Sequence, residues 1–193
     1  TAAGGTSAVA AANQYTYLPA PTVTAISPTS GPAGGGTTVI LTGTNFTGAT
    51  AVTFGATPAT GFAVNSATQI TATVPANAAG TVNVNVTTAS GTSVTGAGSQ
   101  YTYIPPPVVT SISPTSGSQG TTVLIRGTGF AGATAVNFGG TVSGSFAVDS
   151  DTQIRANAPA GTGTVDIRVT TPGGTSGSTS RATSPSRCRS RRV

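Results

Sequence analysis

A six-residue phrase, Ile26-Ser-Pro-Thr-Ser-Gly31, returns eighty-six residues later as Ile112-Ser-Pro-Thr-Ser-Gly117. Self-similarity at a fixed period means that one structural unit has been written twice, which limits the architecture more than any composition value can. The rest of the chain falls into register around the phrase. Gly43, Phe46, Phe54, Phe62, Gln69, Ile70 and Pro75 return at a displacement of eighty-four as Gly127, Phe130, Phe138, Phe146, Gln153, Ile154 and Pro159. Val82, Val84 and Val86 return at eighty-three as Val165, Ile167 and Val169. The length changes fall in glycine-rich stretches and spare the apolar runs. That is expected where a core fixes strand register and the loops are free.

Within each repeat the apolar residues alternate. Thr37-Thr-Val-Ile-Leu-Thr42 reads as a strand closed by Gly43, and Ala51-Val-Thr-Phe54 as another stopped by Gly55. Phe62 and Val64 mark a short alternating piece. Ile70, Ala72 and Val74 share one face of a strand ended by Pro75. Val82, Val84 and Val86 face one side of the next, with Asn83 and Asn85 on the other. A period of two marks strands with one dry face and one wet face. Thr42, Thr71 and Asn85 become Arg126, Arg155 and Arg168 in the second copy, all at positions the alternation assigns to the outer face. About seven short strands per repeat and no helical period predict an all-β chain of tandem immunoglobulin-like β-sandwich modules. The Cys-Trp-Cys core of antibody domains is missing, and Phe54 and Phe138 are expected to fill the tryptophan's space.

The repeat sets the expected domain organisation. Gln14-Tyr-Thr-Tyr17-Leu-Pro19 has the text of Gln100-Tyr-Thr-Tyr103-Ile-Pro105, so residues 1–20 read as the last strand of a preceding truncated module. Residues 21–104 form the first module and 105–180 the second, with its last strand incomplete. The chain opens in mid-pattern without Met and reads as a piece of something longer. Residues 181–193 break the pattern and read as an aberrant basic tail. With suitable codons, this tail read two bases out of frame spells Gly-Asp-Gln-Ser-Phe-Thr-Val-Pro-Val-Pro. That restores the Gln near its expected offset and a proline run after it, so the reading is a frameshift beginning near Ser180.

Composition then narrows function. Charged residues make up 6% of the chain, against roughly 25% in an ordinary domain. The net charge of +5 comes from Arg181, Arg187, Arg189, Arg191 and Arg192, since Arg126, Arg155 and Arg168 balance Asp149, Asp151 and Asp166 in the body. The folded part has no basic face for nucleic acid. Cys188 is the single cysteine, so no intramolecular disulfide forms. No apolar stretch is long enough to insert in a membrane.

Three features together resemble the IPT/TIG domain family, the immunoglobulin-like fold shared by plexins and certain transcription factors. They are Ile-Ser-Pro-Thr-Ser-Gly at the start, Gly-Thr-Asn-Phe46 or Gly-Thr-Gly-Phe130, and Val-Thr-Phe-Gly55 or Val-Asn-Phe-Gly139. The Thr/Ala/Gly-rich texture is similar to bacterial tandem arrays. That resemblance implies stalks of secreted or surface proteins, located outside the cell or on its surface.

The residues leave little room for chemistry. With no His, Glu or Lys in the chain, imidazole and amine mechanisms are excluded, and no catalytic or cofactor-binding residue is assigned. Zinc and iron sites lack ligands. Asp149 and Asp151 form the one metal candidate, for calcium with backbone carbonyls; the plainer reading is a polar turn before the Gln153 strand. Asn45 and Asn85 open Asn-x-Thr sequons. Tyr15/Tyr17 and Tyr101/Tyr103, two apart on one face, read as packing residues of a last strand, with a sugar-stacking platform as the alternative. The expected function is a non-catalytic structural or adhesive stalk segment. Its partners are neighbouring modules, surface proteins or glycans. The alternatives are an accessory or carbohydrate-binding spacer of a secreted polysaccharide-active enzyme, and a virion or filament subunit.

Overall fold

The computed structural model describes residues 15–178. The tail at 181–193 and most of the 1–20 segment lie outside them. Among the described residues the regular structure is β-strand apart from one 3-10 turn, Ala97–Ser99. The first repeat holds β1 (Thr22–Ser27), β2 (Ser30–Pro32), β3 (Thr38–Thr44), β4 (Ala51–Phe54), β5 (Thr57–Pro58), β6 (Gly61–Ser66), β7 (Gln69–Thr73), β8 (Gly80–Thr88), β9 (Gly91–Thr92) and β10 (Gln100–Ile104). One sheet runs β1-β3-β7-β6. The other runs β2-β10-β8-β4-β5, with β9 paired to β8.

The alternation read from sequence is what builds this sandwich. β3 buries every second residue, placing Val39, Leu41 and Gly43 inward. Ile70 and Ala72 of β7, Val52 and Phe54 of β4, and Val84 and Val86 of β8 are buried with them, as are Tyr101 and Tyr103 of β10. Each large side chain withdrawn from water in this way stabilises the fold by about 1.5–3 kcal/mol. Phe54 meets Tyr101 edge-on with ring centroids 5.6 Å apart, a favoured aromatic geometry.

The second repeat holds β11 (Val108–Ser113), β12 (Thr122–Thr128), β13 (Ala135–Phe138), β14 (Thr141–Val142), β15 (Phe146–Ser150), β16 (Gln153–Asn157), β17 (Ile167–Thr171) and β18 (Gly174–Thr175). Its sheets run β11-β12-β16-β15 and β14-β13-β17-β18. Val109, Val123, Ile125, Phe130, Val136, Ile154, Ala156, Ile167 and Val169 form its core. Arg126, Arg155 and Arg168 are exposed, as the alternation requires.

The shared motifs have local causes. In both repeats the first strand carries a register shift, between Val23 and Ala25 and between Val109 and Ser111. It lies across from Gly43 and Gly127. Asn45 and Gly129 have φ of 59° and 74°, a left-handed conformation that Gly and Asn tolerate best. That turn drops Phe46 and Phe130 back into the core, where both are fully buried. The proline of the opening phrase follows a cis peptide bond, Ser27–Pro28 and Ser113–Pro114, just where β1 and β11 end.

Three expectations need correction. Phe62 and Val64 lie opposite buried Ala72 and Ile70, on the core side of the sheet, but β6 is the outer strand and leaves them 37% and 39% exposed. Phe138 is only half-buried, whereas Phe54 is fully buried. Val165 precedes β17 and is 48% exposed, so it does not share the dry face of Ile167 and Val169. The short strands β2, β5 and β9, of two or three residues, are too brief for any period to reveal.

Buried serines join β8 to β9 and β17 to β18. The Ser93 hydroxyl accepts from the Val86 N–H at 3.0 Å, and the Ser176 hydroxyl accepts from the Val169 N–H at 3.0 Å. Alanine at either site leaves a buried N–H without this acceptor. Ser93→Ala and Ser176→Ala are each expected to cost about 1–3 kcal/mol in denaturant unfolding.

Candidate functional site

The acidic residues of the second repeat are the first place to look for chemistry, and the structure sends them in different directions. Asp149, near the end of β15, faces Arg155 of the neighbouring β16. The Arg155 Nε donates to Oδ1 at 3.0 Å and to Oδ2 at 2.8 Å, and Nη2 donates to Oδ1 at 2.6 Å. Gln153 Nε2 donates to Oδ2 at 3.0 Å. Asp151, in the turn, instead accepts from the Gly129 N–H at 3.3 Å and the Ala131 N–H at 3.1 Å. Asp166 is exposed and lies before β17, in the other sheet.

The first repeat shows what this cluster is for. Asn65 Nδ2 donates to Gln69 Oε1 at 3.1 Å and to Thr71 Oγ1 at 2.7 Å. Neutral Asn65, Gln69 and Thr71 thus bridge β6 to β7, and the Asp149–Arg155 ion pair with neutral Gln153 bridges β15 to β16. The Phe46 N–H donates to the Ala67 carbonyl at 2.9 Å, and the Phe130 N–H to the Asp151 carbonyl at 3.0 Å. The same three positions therefore bridge the strand pair in both repeats, with Asn65 donating in the first and Asp149 accepting in the second. Arg155 beside it, helped by Gln153, holds the Asp149 carboxyl below the usual carboxylate range, and Asp149 raises Arg155. A folded-state value that is depressed makes the pair's contribution complete above about 3.9 and lost as pH falls through the lowered value. In an NMR titration the Asp149 midpoint is expected to rise when Arg155 is replaced by alanine. An unchanged midpoint would contradict the contact.

Among the described residues no three His, Cys, Asp or Glu side chains gather as a metal site would require. The Asp149 and Asp151 carboxylates each face hydrogen-bond donors, which repel a cation. Calcium in excess is expected to leave the melting temperature unchanged; a rise of several degrees would restore the calcium reading. No helix among the described residues is long and apolar enough to cross a membrane. Of the sequons, Asn45 is exposed on its turn, its Nδ2 donating to the Ala20 carbonyl at 3.2 Å. Asn85 Oδ1 is buried, which disfavours modification there.

The tyrosine pairs part company. Tyr101 and Tyr103 are buried in the first repeat, whereas Tyr15 and Tyr17 are 79% and 87% exposed and stack edge-on at 4.8 Å. The second repeat carries a groove of about 490 Å³, lined among others by Ile112, Phe138, Ala158, Val165 and Ile167. Sequence reasoning missed this groove, because it depends on which strand is beside β17.

A model of the IPT/TIG domain family matches residues 21–103 and 107–184. No curated protein matches the sequence. Among solved structures, SGBP-B from a complex xyloglucan utilization locus in Bacteroides uniformis is 23% identical. That alignment covers 82% of this chain and 48% of the other, with a TM-score of 0.37. The plexin A4 extracellular region is 21% identical over 79% of this chain and 15% of its own, with a TM-score of 0.43. Adhesin InvE of Yersinia pseudotuberculosis is 17% identical over 80% and 56%, with a TM-score of 0.35. The chain thus spans about half the length, or less, of the first two.

Proposed function

We propose that this chain, which belongs to the IPT/TIG domain family, is a non-catalytic structural segment of a secreted or cell-surface repeat protein. In this reading its modules, 21–104 and 105–180, serve as spacers in an adhesive stalk. The observation that carries the reading is what the two repeats keep and what they change. The buried positions are kept: Phe46 and Phe130, Ile70 and Ile154, Val84 and Ile167. The polar cluster that could do chemistry changes from Asn65, Ala67 and Thr71 to Asp149, Asp151 and Arg155. A module used for catalysis or for a fixed ligand keeps its reactive groups, and a module used as a spacer keeps its core.

The test has two arms. Single-molecule stretching of the 193-residue chain is expected to give two unfolding events, each releasing roughly 280 Å of chain for about 83 residues. In parallel, calorimetry with xyloglucan and other glucan oligosaccharides is expected to show no saturable heat. Unfolding in a single event, or glycan binding at micromolar affinity, would turn the reading toward a ligand-binding domain.

A further inference from the structure

Only Pro105-Pro-Pro107 separates β10, which ends at Ile104, from β11, which begins at Val108. A proline run stiffens a connection by fixing φ, yet it has no backbone N–H with which to tie itself down. This one is held by other means. Pro107 is buried, and its Cα lies 3.4 Å from where a Cβ on Gly129 would stand. A Cβ on Gly174 would stand 3.8 Å from Cβ of Pro106. A Cβ on Gly173 would fall inside the Pro105 carbonyl oxygen, 2.8 Å from the Pro105 carbonyl carbon and 2.9 Å from Cγ2 of Ile104. The Ile104 carbonyl also accepts from the Ala33 N–H at 2.8 Å. Ala33, Ile104 and Gly173 belong to one compact unit of the chain.

The turn that carries Gly173 gives it no reason to be glycine. The Gly173 N–H donates to Thr171 Oγ1 at 3.2 Å. In the same turn of the first repeat, the Ser90 N–H donates to Thr88 Oγ1 at 3.2 Å. Serine therefore fits this turn, and the φ of Gly173 is not in the left-handed range. Gly174 differs, with φ of 117° against 124° at its counterpart Gly91, so there the turn itself accounts for the glycine. What excludes a side chain at 173 is the backbone of Pro105 lying on it. Gly173 is buried beneath that segment, a close approach that only glycine allows. Pro172 braces the same turn, its Cδ 3.5 Å from a Cβ built on Gly132.

We propose that the β17–β18 turn is a clamp for the Ile104–Pro107 segment, with Gly173 as its seat. The chain entering the second repeat is thereby fixed to both sheets of that sandwich. It continues into β11 of one sheet and rests on the turn of the other. The segment then behaves as part of the repeat and not as a tether, and its order depends on Gly173 more than on its proline rings. The clamp is a property of this repeat and stands whether or not the chain serves as a spacer.

Backbone nitrogen relaxation of the full chain tests this. The Ile104 and Val108 amides are expected to be as ordered as those of β12, with order parameters of about 0.85. Gly173→Ser is expected to lower the value at Ile104 below about 0.6 while the β12 amides stay rigid. Gly177→Ser is the control, because a Cβ there would have nothing within 4 Å, and it is expected to change neither. If Gly173→Ser unfolds the second repeat, Pro105→Gly/Pro106→Gly decides. It leaves the turn and the carbonyl of residue 105 in place, and Ile104 is expected to remain ordered. A mobile Ile104 in the native chain overturns the proposal, as does order that survives Gly173→Ser in a folded second repeat. Order lost in Pro105→Gly/Pro106→Gly also overturns it, because the stiffness then belongs to the prolines alone.

Discussion

Replacing Gly127 by alanine is expected to destabilise the second repeat by about 3 kcal/mol or more, and Gly43→Ala the first repeat by as much. A Cβ on Gly127 would fall inside the Val108 carbonyl oxygen and 2.5 Å from Cζ of Phe130. On Gly43 it would meet the Thr22 carbonyl oxygen and Phe46 Cζ, again 2.5 Å away. The backbone of β11 and the ring of Phe130 close on the same point from two sides. Moving the ring opens the core, and moving the strand breaks the β11–β12 pairing at the Val109–Gly127 position. Neither relaxation is cheap. Domains are stable by only about 5–15 kcal/mol, so denaturant unfolding should show a transition at markedly lower midpoint. Gly34 is the control, because a methyl group added there would have nothing within 4 Å and its φ is not positive. Gly34→Ala is expected to be near neutral or slightly stabilising. Equal midpoints for Gly127→Ala and Gly34→Ala would refute the close approach.

The second large effect is expected at Tyr101. Tyr101→Ala removes a fully buried ring and its edge contact with Phe54, a truncation that costs about 3–5 kcal/mol in a packed core. The variant gives the first repeat the groove that the second repeat already has. Phe54 should then become as accessible as Phe138. The two repeats, which are expected to unfold at different midpoints in the native chain, should move closer together. A midpoint for the first repeat unchanged by Tyr101→Ala would show that β10 contributes nothing to closing it.

The strands of the fold were legible because their signal is local. Val39 and Leu41, or Ile70 and Ala72, sit two apart in β3 and β7, and a period of two read over five residues assigns a buried face without knowing the partner. The exposure of Arg126, Arg155 and Arg168 followed from the same count. Phe62 misled because an outer strand covers its inward face only in part, although Phe62 lies opposite buried Ala72. The Asp149–Arg155 pairing joins residues six apart, yet no local pattern says whether Asp149 faces a metal cation or a guanidinium. That depends on β15 and β16 lying side by side with Val148 opposite Ile154.

Repetition, alternation and residue inventory are properties of the written chain. They establish that one β-module occurs twice, which residues of most strands face inward, and that these 193 residues carry no imidazole or lysine side chain. The need for glycine at 43 and 127 has another origin, because a carbonyl and a ring converge there from separate elements and meet only in the folded chain. Folding likewise leaves Val165, Phe138 and Ile112 half-open while Val82, Phe54 and Ile26 are better covered. The two copies of that core are written in nearly the same letters. Among the described residues β10 lies beside β8 and no counterpart of it lies beside β17, and burial is set by such distant neighbours as much as by the residue itself.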